Sequence, residues 1–387
     1  MIFNKKALII IILLFFLLLI PLSVHAATIT LDEVSLSPKI NGYNASGVYI
    51  APDENIFVVD DLNELWKIEP VSGAYSKFLI GGYNLADIVI TPEGNLWWSD
   101  NAMNFGFLDM KTNQIHFASI DTSQFTEPPQ PLNIGPITYY DSTVWLASWA
   151  VTNYGLFGVT GTDICLYEFP VGLFAADLIE LGGIIWGIDW DHESLFRFDP
   201  VSHDLKFIEY EGNIGQYSNM QSDENFIWWI EDAVDGKIFR FDIITESLVS
   251  FSLPSGSHPR NIFIKGGIIW YTDTTGGFGR LDPDLSIADT MELSKVNAEI
   301  RTHVCKTVDF FNYPIPPSIG IFDWGEVDST VTSPQVGLEY YSLPSESEPF
   351  GVGISSNNVW VSDRGRQKLI KMQLEVDYKI FLPLLTK

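Results

Sequence analysis

Apolar and polar residues alternate along this chain in short runs bounded by Gly, Asp, Asn and Pro, and beyond residue 26 no stretch of useful length keeps a helical period. One run recurs seven times. Its clearest copy is Ile268-Ile269-Trp270-Tyr271-Thr272-Asp273, and the aromatic anchors of the copies are Phe57, Trp97, Trp145, Trp186, Trp228, Trp270 and Trp360. Five of the six gaps between anchors are 40 to 48 residues, and the last is 90. A repeat of that length corresponds to one four-stranded sheet per unit, set around an axis.

The strands within a unit follow from the same pattern. An apolar run precedes the anchor (Ala86 to Ile90, Asn261 to Ile264), a turn such as Pro92 to Asn95 or Lys265 to Gly267 follows, and the anchor strand comes next. A third run, Leu195 to Asp199 in one copy, and a fourth that ends in Pro, as in Leu166 to Pro170, complete the unit. The expected fold is all-β: a seven-bladed β-propeller of four antiparallel strands per blade over residues 27–375. The long gap predicts an insertion in blade six at about residues 284–336, after which Gly337 to Pro344 resumes as a displaced fourth strand. Pro314, Pro316 and Pro317 make its middle extended or turned, and a loop of this length is expected to be functional or mobile. An eighth blade anchored on Trp324 is the alternative. Ring closure is expected from Thr28 to Ser37 pairing with Lys368 to Met372, which would remove open sheet edges.

The two ends of the chain are of other kinds. Lys5 and Lys6, the unbroken apolar run Ala7 to Ile20 and the small-residue site Ser23 to Ala26 read as a signal peptide over residues 1–26. A retained membrane anchor is the alternative, because the run is nearly long enough to span a bilayer. The tail, residues 376–387, lies outside the blades; it resembles a short Tyr/Phe-Leu-Pro-hydrophobic-Lys ending of secreted proteins of some filamentous bacteria, and an added strand fits it equally well. The expected location is therefore secreted or at the cell surface of a bacterium, with no membrane span after signal removal.

Composition narrows the partners. At 46% hydrophobic and 14% aromatic residues the chain is an ordered globular protein. Its net charge of −27 repels phosphate polymers and anionic membranes, which excludes nucleic acid as an expected partner. Cys165 and Cys305 are the two cysteines, a bridge or two buried thiols, and spacing does not decide between these.

Candidate chemistry lies in the loops that lead into each unit. Counting back 12 or 13 residues from the anchors selects Asn44, Asn84, Asn133, Phe174, Gln216, His258 and Glu348, with Tyr83, Arg260 and Phe350 beside them and Asp87, Asp177, Asn219 and Asn261 at the starts of the inner strands. In a propeller these points open onto the central channel. They read as a polar, aromatic-rimmed mouth for an extracellular small molecule, glycan or peptide, or as Asn-rich turns with only a structural role. A second ring, Asp60, Asp100, Asp189, Glu231, Asp273 and Asp363, sits three residues after the anchors, with Ser148 the exception. It could hold Mg or Ca, or it could satisfy turns. No cofactor is fixed by any motif.

The blade motif, an aromatic and then an acid, a turn, Arg-hydrophobic-Asp-Pro and a strand ending in Leu-Pro, resembles that of the virginiamycin B lyase (streptogramin lyase) family over roughly residues 41 to 372, apart from the insertion. The resemblance implies a propeller that opens a cyclic depsipeptide by Mg-assisted elimination. It also implies a His in the loop leading into the penultimate blade, a Glu-x-His loop in the last blade, and a Glu just after the last anchor strand. Here those positions hold Arg260, Glu348 with Phe350, and Arg364. Neither a phenyl ring nor a guanidinium can take a proton, so the lyase reaction is not expected from these positions. The favoured function is a ligand-binding or protein/glycan interaction module. The alternative is a metal-dependent lyase or hydrolase with a rearranged site using Glu348 and His258 across the blade six to seven boundary, and the third is a structural surface protein.

Overall fold

The computed structural model describes residues 27–35, 47–59, 64–80, 85–100, 102–121, 123, 125, 133–150, 155–212, 215, 218–314, 317–322 and 324–374. Signal peptide, C-terminal tail, Asn44, Asp60, Tyr83, Asn84 and Gln216 lie outside them. The described residues form a β-propeller of antiparallel meanders. Val48–Ile50, Ile56–Val59, Glu64–Ile68 and Ala74–Leu79 make the first unit. Leu85–Ile90, Asn95–Asp100, Asn104–Asp109 and Gln114–Ser119 make the second, and Asn133–Tyr140, Thr143–Ala150, Leu156–Thr160 and Asp163–Glu168 the third. The fourth comprises Leu173–Leu181, Ile184–Asp189, Ser194–Phe198 and Leu205–Tyr210; the fifth, Met220–Asp223, Phe226–Ile230, Lys237–Asp242 and Ser247–Ser252.

In the sixth unit Pro259–Lys265, Ile268–Asp273 and Gly277–Leu281 are followed by Leu338–Ser342, paired Leu281 to Leu338. The seventh is Pro349–Ser355, Asn358–Asp363, Lys368–Gln373 and the N-terminal strand Ala27–Ser35. That last pairing closes the ring, and three cations hold it: Arg366 and Lys368 reach Glu33, and Lys371 reaches Asp32. The anchors Phe57, Trp145, Trp186, Trp228, Trp270 and Trp360 are buried between neighbouring units. In the second unit the next residue, Trp98, takes the fully buried place, and Trp97 is half-buried against Phe107.

The described residues of 284–336 make neither an eighth blade nor a bare loop. They form a belt around the outside of the propeller. Asp289–Met291 adds a fifth strand to the fifth unit, Leu293–Ala298 to the fourth, Thr302–Thr307 to the third, Phe311–Pro314 to the second and Ser318–Ile321 to the first. Gly325–Gln335 then pairs first with Ala27–Ser35 of the seventh unit and next with Leu338–Ser342 of the sixth, where the belt began. Of its prolines, Pro314 ends the strand Phe311–Pro314; the belt runs along the outer edges of the blades, whose unpaired N–H and C=O groups it satisfies.

Between its strands the belt drops apolar side chains into the clefts between units. Met291 and Leu293 pack at the cleft of the fourth and fifth, Ala298 and Ile300 at the third and fourth, and Val308 and Phe310 at the second and third. Phe322 and Trp324 pack at the first and seventh. Trp324, the anchor in the alternative of an eighth blade, lies 5.8 Å from the Trp360 ring. Gly73 makes room for it: its φ is +70°, and a Cβ there would stand 2.7 Å from the indole nitrogen of Trp324. Cys165 and Cys305, directly opposite in the third unit's outer pair, are joined by a disulfide.

Candidate functional site

The inner strands meet around the axis, and their first residues, from all seven units, line one mouth of the channel. Bulges set the side chains there. Pairing slips between Leu85 and Asp87, Ala175 and Asp177, and Pro259 and Asn261, which turns the second residue of each pair inward and frees backbone N–H groups beside it. The Ile88 and Leu178 amides turn to the carboxylates of Asp87 and Asp177 beside them, and the side chains at the starts of the inner strands also take up amides of the unit that follows. Asp87 accepts from the Ile137 amide at 3.0 Å, Asp177 from Met220 at 2.6 Å, Asn219 from Ile262 at 3.2 Å and Asn261 from Val352 at 3.2 Å. The polar starts of the inner strands are thus fasteners between blades.

Two of these fasteners are acids that line the mouth. Burial pushes the Asp87 carboxyl up to about 6. Asp177 is raised well above the usual carboxylate range, by burial first and then by the charge of Asp87. The Tyr49 hydroxyl, which donates to Asp87 at 3.2 Å, is raised by burial and by both acids. Trp149 adds an aromatic wall, its indole N–H bonded to the Ala175 carbonyl at 2.5 Å and its ring lying on Gly135, where a Cβ would come within 2.3 Å. The mouth holds about 80 Å³, and further along the same strands the channel widens to about 420 Å³.

Beside the mouth the loops of the fifth, sixth and seventh units build a charged cluster. The His258 ring lies 2.9 Å from Asp232, and Arg260 donates to the other oxygen of the same carboxylate at 2.7 Å. Arg260 and Arg364 each sit 5.3 Å from the centre of the Phe350 ring, so one phenyl contacts two guanidiniums. Arg364 in turn pairs with Glu348. Arg260, Phe350, Arg364 and Glu348, the four positions selected by the resemblance, are joined in this one cluster. His258 is tied to Asp232 and Glu348 to Arg364. Phe174 packs against Trp190 and Asn133 is exposed, and neither is among the residues lining the mouth.

Four of the acids after the anchors accept hydrogen bonds within their own blades. Asp100 accepts from the amides of Ala102 and Asn104, Asp189 holds His192 at 2.7 Å, and Asp273 and Asp363 accept from the amides of His258 and Glu348 at 3.0 and 2.8 Å. Asp273 and Asp363 thereby pin the leading loops, and Asp100 and Asp189 the turns that follow them. The Mg that the resemblance implies does not fit the cluster: of the four matched positions only Glu348 offers a carboxylate, and a guanidinium already holds it.

Tyr49, Trp149 and Asp232 escaped sequence reasoning. Tyr49 sits in the shortest inner strand of the ring, and Trp149 and Asp232 stand four residues past their anchors, a place that holds Asp61, Asn101, Trp190, Thr274 and Arg364 in the other copies.

The fold is that of virginiamycin B lyase. The structure of a catalytically inactive variant of that enzyme from Staphylococcus aureus, with quinupristin, superposes with a TM-score of 0.63 at 15% identity, covering 91% of this chain and 100% of that one. A second structure of the same enzyme gives 0.56 at 16% over the same shares. The extracellular domain of a hybrid two-component system of B. thetaiotaomicron gives 0.51 at 12%, covering 88% of this chain and 39% of that one. No family model and no curated protein matches the sequence.

Proposed function

We propose that this propeller binds a peptide-like ligand outside the cell, at the channel mouth, and releases it unchanged. One observation carries the reading: the matched lyase positions hold a phenyl ring between two guanidiniums, and the neighbouring acids Asp232 and Glu348 are each in an ion pair. Such a cluster has no free base at those positions, while its ring and N–H groups suit a planar, amide-bearing surface. The mouth takes one side chain, whose apolar face would meet Tyr49, Trp149 and Phe350. The enzyme of the same fold was captured with quinupristin, which makes cyclic peptides the first ligands to try and glycans the contrast.

Thermal melting of residues 27–387 against cyclic peptides and glycans, with mass spectrometry of the recovered ligand, tests this. A raised midpoint with cyclic peptides, an unchanged ligand mass, and binding weakened roughly tenfold or more by Phe350→Ala or Trp149→Ala are expected. A response to glycans alone overturns the ligand class, and no response to either leaves a structural surface protein. The His258–Asp232 contact favours a second reading, hydrolysis with His258 as base oriented by Asp232. Ligand cleavage lost on His258→Ala would install that reading in place of binding.

A further inference from the structure

The cysteine pair of the belt stands among imidazoles. On Thr302–Thr307 the residues His303 and Cys305 are two apart and share a face, and across the ladder they stand opposite Tyr167 and Cys165. The His303 Nε2 lies 3.5 Å from the Cys305 sulfur, and the ligand atoms of Cys165, His303 and Cys305 all fall within 4.8 Å of one another. The His303 ring is stacked on Tyr167 at 4.3 Å, which fixes its orientation. A second imidazole, His203 from the turn between the third and fourth strands of the neighbouring unit, stands 4.8 Å from the His303 ring, edge on. All four side chains are exposed or half-buried, so an ion from solvent can reach them.

We infer that this cluster is a site for a thiolate-seeking ion of the zinc class, occupied when the disulfide is open, with Cys165, Cys305 and His303 as ligands and His203 as the fourth. Bonds of about 2.3 Å to sulfur and 2.0–2.1 Å to nitrogen put neighbouring S and N ligands of a tetrahedral ion roughly 3.5 Å apart, the separation already present between His303 and Cys305. The two sulfurs would part to roughly 3.8 Å by rotation of their side chains. Opening takes two electrons and two protons from a dithiol, which becomes its own cyclic disulfide. Metal binding then releases the two thiol protons to solvent. In either state the belt stays cross-linked to the third unit, by sulfur–sulfur or by sulfur–metal–sulfur, and His203 would extend the second link to the fourth unit.

The test uses residues 27–387, reduced with a dithiol under inert gas, freed of reductant, and titrated with Zn²⁺ against a chromophoric chelator and with Co²⁺ by absorption. One equivalent is expected for the reduced protein and none for the oxidised protein. The cobalt form should show the intense visible bands and thiolate charge transfer of a tetrahedral S/N site. Affinity should fall in His303→Ala by more than the roughly 10–100-fold typical of losing an outer-shell partner. Cys305→Ser, which leaves a single thiolate, should weaken the affinity and the thiolate charge transfer, and the double variant Cys165→Ser/Cys305→Ser should abolish both, with far-UV circular dichroism checking that the strands persist. Equal binding by reduced and oxidised protein overturns the site, as does a reduced protein whose affinity is untouched by both His303→Ala and His203→Ala.

Discussion

At the residue scale, Asp87 joins architecture to acid–base behaviour. Its carboxyl is pushed up to about 6 by burial, whereas an unfolded Asp titrates near 3.9. Between about pH 4 and 6 the folded chain therefore keeps a proton that the unfolded chain has lost, and this contribution to stability disappears as pH rises through that window. Asp177 acts in the same direction. Glu246 acts oppositely: Lys295 and Lys206 hold it below the usual range, so its contribution is present near neutrality and lost as pH falls through the acid side. The melting midpoint should accordingly peak on the weakly acidic side of neutrality. Asp87→Asn should flatten the fall toward pH 7 while lowering stability overall by about 1–3 kcal/mol, because a buried acceptor for Ile88 or Ile137 is lost. Melting curves from pH 4 to 8 check both parts; an unchanged slope in the variant would remove Asp87 from the account. Arg260 and Phe350 were legible by counting back from Trp270 and Trp360. Asp232, which decides what His258 and Arg260 do, was not, because, of the other six copies, only the first carries an acid, Asp61, at that place.

At the scale of elements, the meanders were legible and the belt was not. Each blade announces itself through an apolar anchor strand such as Ile268–Asp273, buried along most of its length. The belt strands are three to six residues long over the first five units and expose most of their side chains, so neither period nor hydrophobicity marks them. The faint signal is in the joints: Met291-Glu292-Leu293, Ala298-Glu299-Ile300, Val308-Asp309-Phe310 and Phe322-Asp323-Trp324 are all apolar–acid–apolar. In the first three the acid is exposed while its neighbours are wholly or partly buried. These joints should be where the belt is held. Phe310→Ala, which removes ring contacts with Trp97, Phe105 and Phe107, should cost about 2 kcal/mol. Hydrogen exchange should speed up over residues 302–314 and stay slow in Leu156–Thr160. The disulfide closes a separation of 140 residues, worth about 5 kcal/mol in the chain-entropy model, so Cys305→Ser should lower unfolding free energy by about 2–5 kcal/mol in denaturant titrations.

For the molecule as a whole, the belt covers edges that a four-stranded blade would leave open. Its two ends meet: the Asp282 amide donates to the Gly337 carbonyl at 2.7 Å, so a short turn can replace residues 284–336 without moving either strand. That deletion, made with Cys165→Ser, should leave a folded propeller with bare fourth strands in all seven units. It should melt lower and associate with rising concentration, as unprotected edges do, which analytical ultracentrifugation would detect. A monomer of unchanged midpoint would reduce the belt to decoration.

The belt travels against the order of the blades. Its successive strands pair with the fifth, fourth, third, second and first units, so each partner lies further back in the chain than the one before. A chain appearing from its N-terminus has those five units complete before the belt exists, and the belt can be laid down on surfaces already formed. Its last strand has no such luck, since Leu338–Ser342 has not yet been made and Ala27–Ser35 gains its place only with Lys368–Gln373. The oldest strand of the chain thus waits for one of the youngest, and the ring is finished at the point where the longest chain separation must be closed, which makes that closure the slow step.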